Sequence, residues 1–149
     1  MKNQPANNDA AAPATAISLQ LLLNDIVSNL PETFDQNKVF VENEVSCDLK
    51  ILADQCKVVS VINELLTTVV ANARNTSILL TAEKTTGVVT LNIEDNNNFN
   101  GYALSFSLML IEQHARFAGG DISIRGAQQR VATVSFSFPD TPGIKRYVW

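Results

Sequence analysis

One segment constrains the fold of this chain more than any other. Val58, Val61, Ile62, Leu65, Leu66, Val69 and Val70 recur at steps of three and four residues, which lays them along one side of an α-helix. Most are β-branched and lower helix propensity. Such a helix persists only when a second apolar layer packs against it. The residues that follow supply that layer. Ile78–Ala82 and Val88–Ile93 read as strands joined by a turn at Lys84–Gly87, and Val89, Leu91 and Ile93 alternate with more polar neighbours.

The flanking segments extend the same pattern. Ser18 is placed to cap a helix that carries Leu19, Leu22, Leu23, Ile26 and Leu30 and stops at Pro31. Short strands are expected around Val39–Val41 and Leu49–Leu52, and Asp54 opens the central helix. Tyr102–Phe117 regains helical spacing through Leu104, Leu108, Ile111 and Ala115 until Gly119-Gly120 ends it. Ile122–Ile124 and Val131–Phe138 read as a closing hairpin ended by Pro139. The order αββαββαββ predicts a two-layer α/β sandwich, with helices in one layer and a sheet in the other. A length of 149 residues suits one domain, expected over 18–140. The polar, Ala/Pro-rich residues 1–17 read as a linker or tail and 141–149 as a C-terminal tail.

Several function classes are unsupported by this composition. The formal net charge is -4 and no Lys/Arg cluster occurs, so neither nucleic acid nor an anionic membrane surface is an expected partner. No apolar run reaches the roughly 18 residues of a membrane span, and no secretory leader pattern opens the chain. Cys47 and Cys56 lack the CxxC spacing of a zinc site. They read as two buried thiols of a cytosolic protein, with a disulfide as the alternative. The single histidine, His114, leaves little material for a histidine metal cluster or a Ser-His-Asp triad.

Three stretches set polar residues among these elements: VINELLTTVV (Val61–Val70), IEDNNNFNG (Ile93–Gly101) and SFSLMLIEQHARFAGGDISI (Ser105–Ile124). In this order they resemble the ATP-binding catalytic domain of bacterial sensor histidine kinases. That domain belongs to a wider ATPase superfamily, which includes gyrase-type proteins and anti-sigma kinases. The resemblance runs from about Ser18 to Pro139. It implies an α+β fold with a mixed, mostly antiparallel sheet covered on one face by about three helices. It also implies ATP and Mg as ligands, a cytoplasmic setting, and a phosphoacceptor/dimerisation domain or a response regulator as partner.

Carried over by residue, the resemblance puts Glu64 at the general-base position of the helix and Thr68, four residues on, at the position of a magnesium-binding Asn. The bland alternative for Glu64 is a solvated helix residue. Asp95 stands where an Asp accepts from the adenine amino group. Asn97 and Phe99 replace the glycines of the Asp-x-Gly-x-Gly loop; Asn97 tolerates left-handed backbone and would keep the turn. Ser105 and Ser107 fall on the glycines of a Gly-Leu-Gly-Leu phosphate loop, near the expected start of a helix. Serines there donate to a phosphate or cap the helix. His114 lacks the acidic residues and Pro that follow a kinase phosphoacceptor, and reads as a structural or surface residue. Asp95 and Ser105 are ten positions apart, which leaves no room for the mobile lid of active kinases. The expectation is therefore a divergent sensor-kinase domain with a degraded nucleotide site and weak or lost ATP binding. The alternatives are a non-catalytic adaptor that docks a response regulator and, less favoured, an anti-sigma-type binder.

Overall fold

A computed structural model describes residues 16–30, 36–52, 55–99 and 101–140. Pro31, Asp54, most of the expected linker (1–15) and the expected tail (141–149) lie outside the described residues. Among the described residues, three helices, α1 (Leu19–Ser28), α2 (Gln55–Asn72) and α3 (Gly101–Phe117), pack with seven strands. The strands are β1 (Ile17–Ser18), β2 (Val39–Asn43), β3 (Lys50–Ile51), β4 (Thr76–Thr85), β5 (Val88–Asp95), β6 (Asp121–Arg125) and β7 (Ala132–Pro139). The main sheet has five strands in the order β2-β4-β5-β7-β6. Its one parallel pairing joins β2 to β4, and every other neighbour is antiparallel.

The period of two along the strands sends one side chain set into the core. Ile78 and Leu80 of β4, Val89, Leu91 and Ile93 of β5, and Val134, Phe136 and Phe138 of β7 are all buried. They face the α2 stripe, where all seven residues from Val58 to Val70 named above are buried, and the inner side of α3, with Leu104, Leu108, Ile111 and Ala115. Burial on this scale is what holds a helix as rich in valine as α2.

Helix ends and turns follow local chemistry. Ser18 caps α1 as expected, its Oγ accepting from the Leu21 N–H at 3.3 Å. The expected turn at Lys84–Gly87 tightens to two residues, Thr86 and Gly87, with φ of 48° and 78°. Both signs match a hairpin turn that follows the sheet's twist. Gly119, at φ 79°, closes α3 in a Schellman arrangement: its N–H reaches the Arg116 carbonyl and the Gly120 N–H reaches that of Ala115.

Three features depart from the sequence reading. The short strand β1 pairs antiparallel with β3 to make a separate ribbon; two residues are too few to carry a period. Helix α3 begins at Gly101, within one residue of the start its spacing from Tyr102 predicts, and not near Ser105, where the resemblance to a phosphate loop puts it. Cys47 and Cys56 are free thiols as expected but exposed rather than buried. Cys47 sits in the turn before β3, and Cys56 lies on the side of α2 away from the apolar stripe.

One polar lock joins the ribbon to the main sheet. Asp140, buried just past β7, accepts from the Leu52 N–H through Oδ1. Its Oδ2 is closed off from solvent and meets the Lys84 ammonium at 2.5 Å. Lys84→Met leaves that carboxylate unpaired in the core and is expected to cost about 3 kcal/mol of unfolding free energy. Adding Asp140→Asn should recover part of the loss, which urea denaturation of the single and double variants checks.

Candidate functional site

The polar residues of interest gather where β5 turns into α3. Asp95 ends β5 and is buried; its Oδ1 accepts from Thr76 Oγ1 at 2.7 Å and from the Asn97 backbone N–H at 3.0 Å. This is a short-range turn of the kind Asp forms readily. The three asparagines that follow each reach a different part of the chain. Asn96 Nδ2 donates to the Ser77 carbonyl of β4 at 3.1 Å. Asn97 Nδ2 donates to the carbonyls of Arg74 and Asn75, just past α2, at 3.4 and 3.2 Å. Asn98 Nδ2 donates to Ala127 and Gln129, both at 2.9 Å, and its backbone N–H donates to Arg130 at 2.7 Å. The run DNNN therefore ties together β4, the α2–β4 turn and the β6–β7 loop.

Asn97 does this without left-handed backbone. Among the described non-glycine residues, positive φ occurs at Lys38, Asn75 and Thr86. The expectation that Asn97 keeps a glycine-like turn is corrected accordingly: its amide makes the turn, and Asn75, which accepts from it, carries the strained φ. Phe99 is exposed, and its ring lies 5.8 Å from the Arg74 guanidinium carbon, in cation–π range.

The start of α3 is closed by the β6–β7 loop. A Cβ added at Gly101 would sit 1.6 Å from the Ala127 carbonyl oxygen, so only glycine allows this approach. The first turn of α3 is Gly101–Leu104. Ser105 and Ser107 stand beyond it inside the helix, where each N–H is spanned by the regular α-helical bond to the carbonyl four residues back. The resemblance to a phosphate loop, which opens the helix near Ser105, places its N-terminus one turn too late, whereas the spacing over Tyr102–Phe117 places it correctly. The apolar period of α3 also fits a start at Gly101, because Gly101 falls on the buried side with Leu104 and Leu108.

Glu64, Thr68 and Ser107 come together elsewhere, in a cleft of about 430 Å³ between α2 and α3. Thr67 and Leu110 complete much of its wall. Glu64 Oε1 lies 2.7 Å from His114 Nδ1, so the single histidine clasps α2 to α3. Sequence reasoning did not foresee this pair, fifty positions apart and on different helices. Asp95 and Asn97 do not line the cleft. Asn72 does lie at their end of α2: it is four residues past Thr68, donates through Nδ2 to the Thr68 carbonyl at 2.9 Å, and precedes the Arg74 and Asn75 carbonyls that Asn97 grips. A residue followed four positions on by an Asn, a pattern that Glu64 and Thr68 do not complete, occurs one turn later at Thr68 and Asn72. The spacing alone could have flagged it.

Removing the Asn98 side chain takes the donor from the part-buried Ala127 carbonyl and from the exposed carbonyl of Gln129. Asn98→Ala is expected to lower unfolding free energy by about 1 kcal/mol, against about 0.5 kcal/mol for Asn97→Ala, whose carbonyl contacts are both exposed. Paired thermal and urea melts check the difference.

No protein-family model matches the chain, and no curated protein matches it. Solved structures do. The histidine kinase AdeS of Acinetobacter baumannii is similar at 13% identity with a TM-score of 0.70, over 85% of this chain and 67% of that one. A nucleotide-free catalytic domain of histidine kinase ThkA is similar at 17% identity with a TM-score of 0.67, over 86% and 98% of the two chains. ThkA in complex with the response regulator protein TrrA is similar at 20% identity with a TM-score of 0.62, over 88% of this chain and 43% of that one. At these identities the likeness is one of fold. The chain is an α+β domain with the histidine kinase ATPase-like fold, that of the catalytic domains of sensor histidine kinases.

Proposed function

We propose that this chain is a divergent catalytic-type domain of two-component signalling that has exchanged its nucleotide loop for a structural turn. It acts in signal transduction through contact with a phosphoacceptor/dimerisation domain or a response regulator, and it binds ATP·Mg weakly or not at all. The observation that carries this reading is the β5–α3 connection. β5 ends at Asp95 and α3 begins at Gly101, so five residues span the gap. Three of those five are asparagines whose amides are spent on protein carbonyls. No segment remains to close over a triphosphate, and closure with exclusion of water is what such sites depend on.

The donor groups support the same reading. Glu64, at the general-base position, already has one carboxylate oxygen against His114. Thr68 offers a short hydroxyl, and Asn72 its amide oxygen, where magnesium asks for near-ideal octahedral oxygens. One oxygen of Asp95 is engaged by its own chain. Ser105 and Ser107 lie past the helix end that would favour a phosphate. This set fits a metal–triphosphate poorly. The adaptor reading, a non-catalytic module that docks a response regulator, is favoured over residual kinase activity by the same short connection. That a related fold is known in ThkA's complex with TrrA makes a response regulator the first partner to try.

Thermal melts with and without millimolar ATP and magnesium test the proposal. Ligand at one hundred times its dissociation constant adds about 2.7 kcal/mol, or about 5–10 °C for a domain of this size. The expected shift is below about 1 °C. A rise of the full size that Asp95→Asn abolishes would establish a working nucleotide site and overturn the proposal.

A further inference from the structure

Helix α3 has two apolar sides. The inner one is buried against the sheet and α2. The outer one carries Tyr102, Phe106, Met109, Leu110 and Phe117, each 59% to 77% exposed. At 100° per residue these five fall within an arc of roughly 100°, opposite the buried set. The arc contains no acidic residue; its other members are Gln113 and, at its margin, Arg116. The surface is also held in shape. The Tyr102 hydroxyl accepts from Gln128 Nε2 at 2.7 Å, which anchors the N-terminal end of the stripe to the β6–β7 loop.

We infer that this face is the interface of a homodimer, with α3 packed antiparallel on α3 of a second copy about a twofold axis near Met109 and Leu110. Area is the first argument. Five large side chains, three of them aromatic, expose on the order of 600–700 Å². That exceeds the largest patch of a typical monomer, about 300–600 Å², and approaches the ~800 Å² each partner contributes to a standard interface. Self-complementarity is the second. The antiparallel arrangement brings Tyr102 opposite Phe117 of the other copy and Phe106 opposite Gln113. It opposes the two helix dipoles. It also sets Arg116 roughly 20 Å from its own copy along the helix, beyond the ~8 Å Debye length at physiological salt. A parallel arrangement would stack Arg116 on Arg116. None of the stripe residues takes part in the turn at Asp95–Asn98; Leu110 alone of them also lines the cleft beside Glu64 and Thr68, and Phe106 tests the interface without touching that cleft.

Sedimentation equilibrium of the full chain tests it. The expected result is a mass of twice 16.2 kDa at micromolar concentration. Phe106→Glu and Leu110→Glu should each weaken the dimer roughly thirtyfold or more while the melting temperature extrapolated to monomer is kept. Phe40→Glu, at an exposed phenylalanine on β2, should leave it intact. A monomer across the whole concentration range would overturn the inference, as would a dimer indifferent to both α3 variants. If the wild type is monomeric and truncation after Asp140 makes it dimerise, residues 141–149 cover the face and the inference fails.

Discussion

Four consecutive residues, Asp95 to Asn98, hold the polar end of this molecule together. A buried carboxylate organises the turn by accepting from Thr76 and Asn97. Three amides then reach the start of β4, the end of α2 and the β6–β7 loop. These segments are far apart in sequence and arrive at one place because the sheet order β2-β4-β5-β7-β6 sets β5 between β4 and β7. Carbonyls left over where helices and strands end need donors, and asparagine amides supply them over short reach, here at part-buried and exposed positions. The proposed function rests on this: amides that donate to the chain's own carbonyls are not free to donate to a ligand.

The two layers divide the work. The apolar stripe of α2 and the inward strand residues set the architecture, and most of that was legible from spacing. Helix α2, the β4–β5 hairpin, the Ser18 cap and the Gly119-Gly120 stop all follow from period and local backbone chemistry. The β1–β3 ribbon and the parallel β2–β4 pairing were not legible. Short strands carry little periodic signal, and period does not reveal which strand is the neighbour.

The site was less legible than the fold, for a physical reason. An Asn-rich run looks like any polar loop, because sequence does not record which carbonyls an amide meets. Helical spacing starts α3 at Tyr102, but the resemblance to a phosphate loop shifts its start to Ser105. The chain instead begins the helix at Gly101, where the Ala127 carbonyl leaves no room for a side chain. The clasp between Glu64 and His114 depends on helix packing and so escapes local reading. Asn72 was within reach of the spacing argument, one helical turn further than Glu64 and Thr68.

The central claim is that the turn at Asp95–Asn98 is a fixed structural element rather than a loop ordered by nucleotide. Hydrogen exchange at the backbone N–H groups of Asn96, Asn97 and Asn98 tests it most directly, since these donate to the Ser77 carbonyl, Asp95 Oδ1 and the Arg130 carbonyl. The account predicts strong protection in the free protein, at the level of the β5–β7 ladder, and no change on adding ATP and magnesium. Rapid exchange in the free protein that slows when nucleotide is added would contradict it.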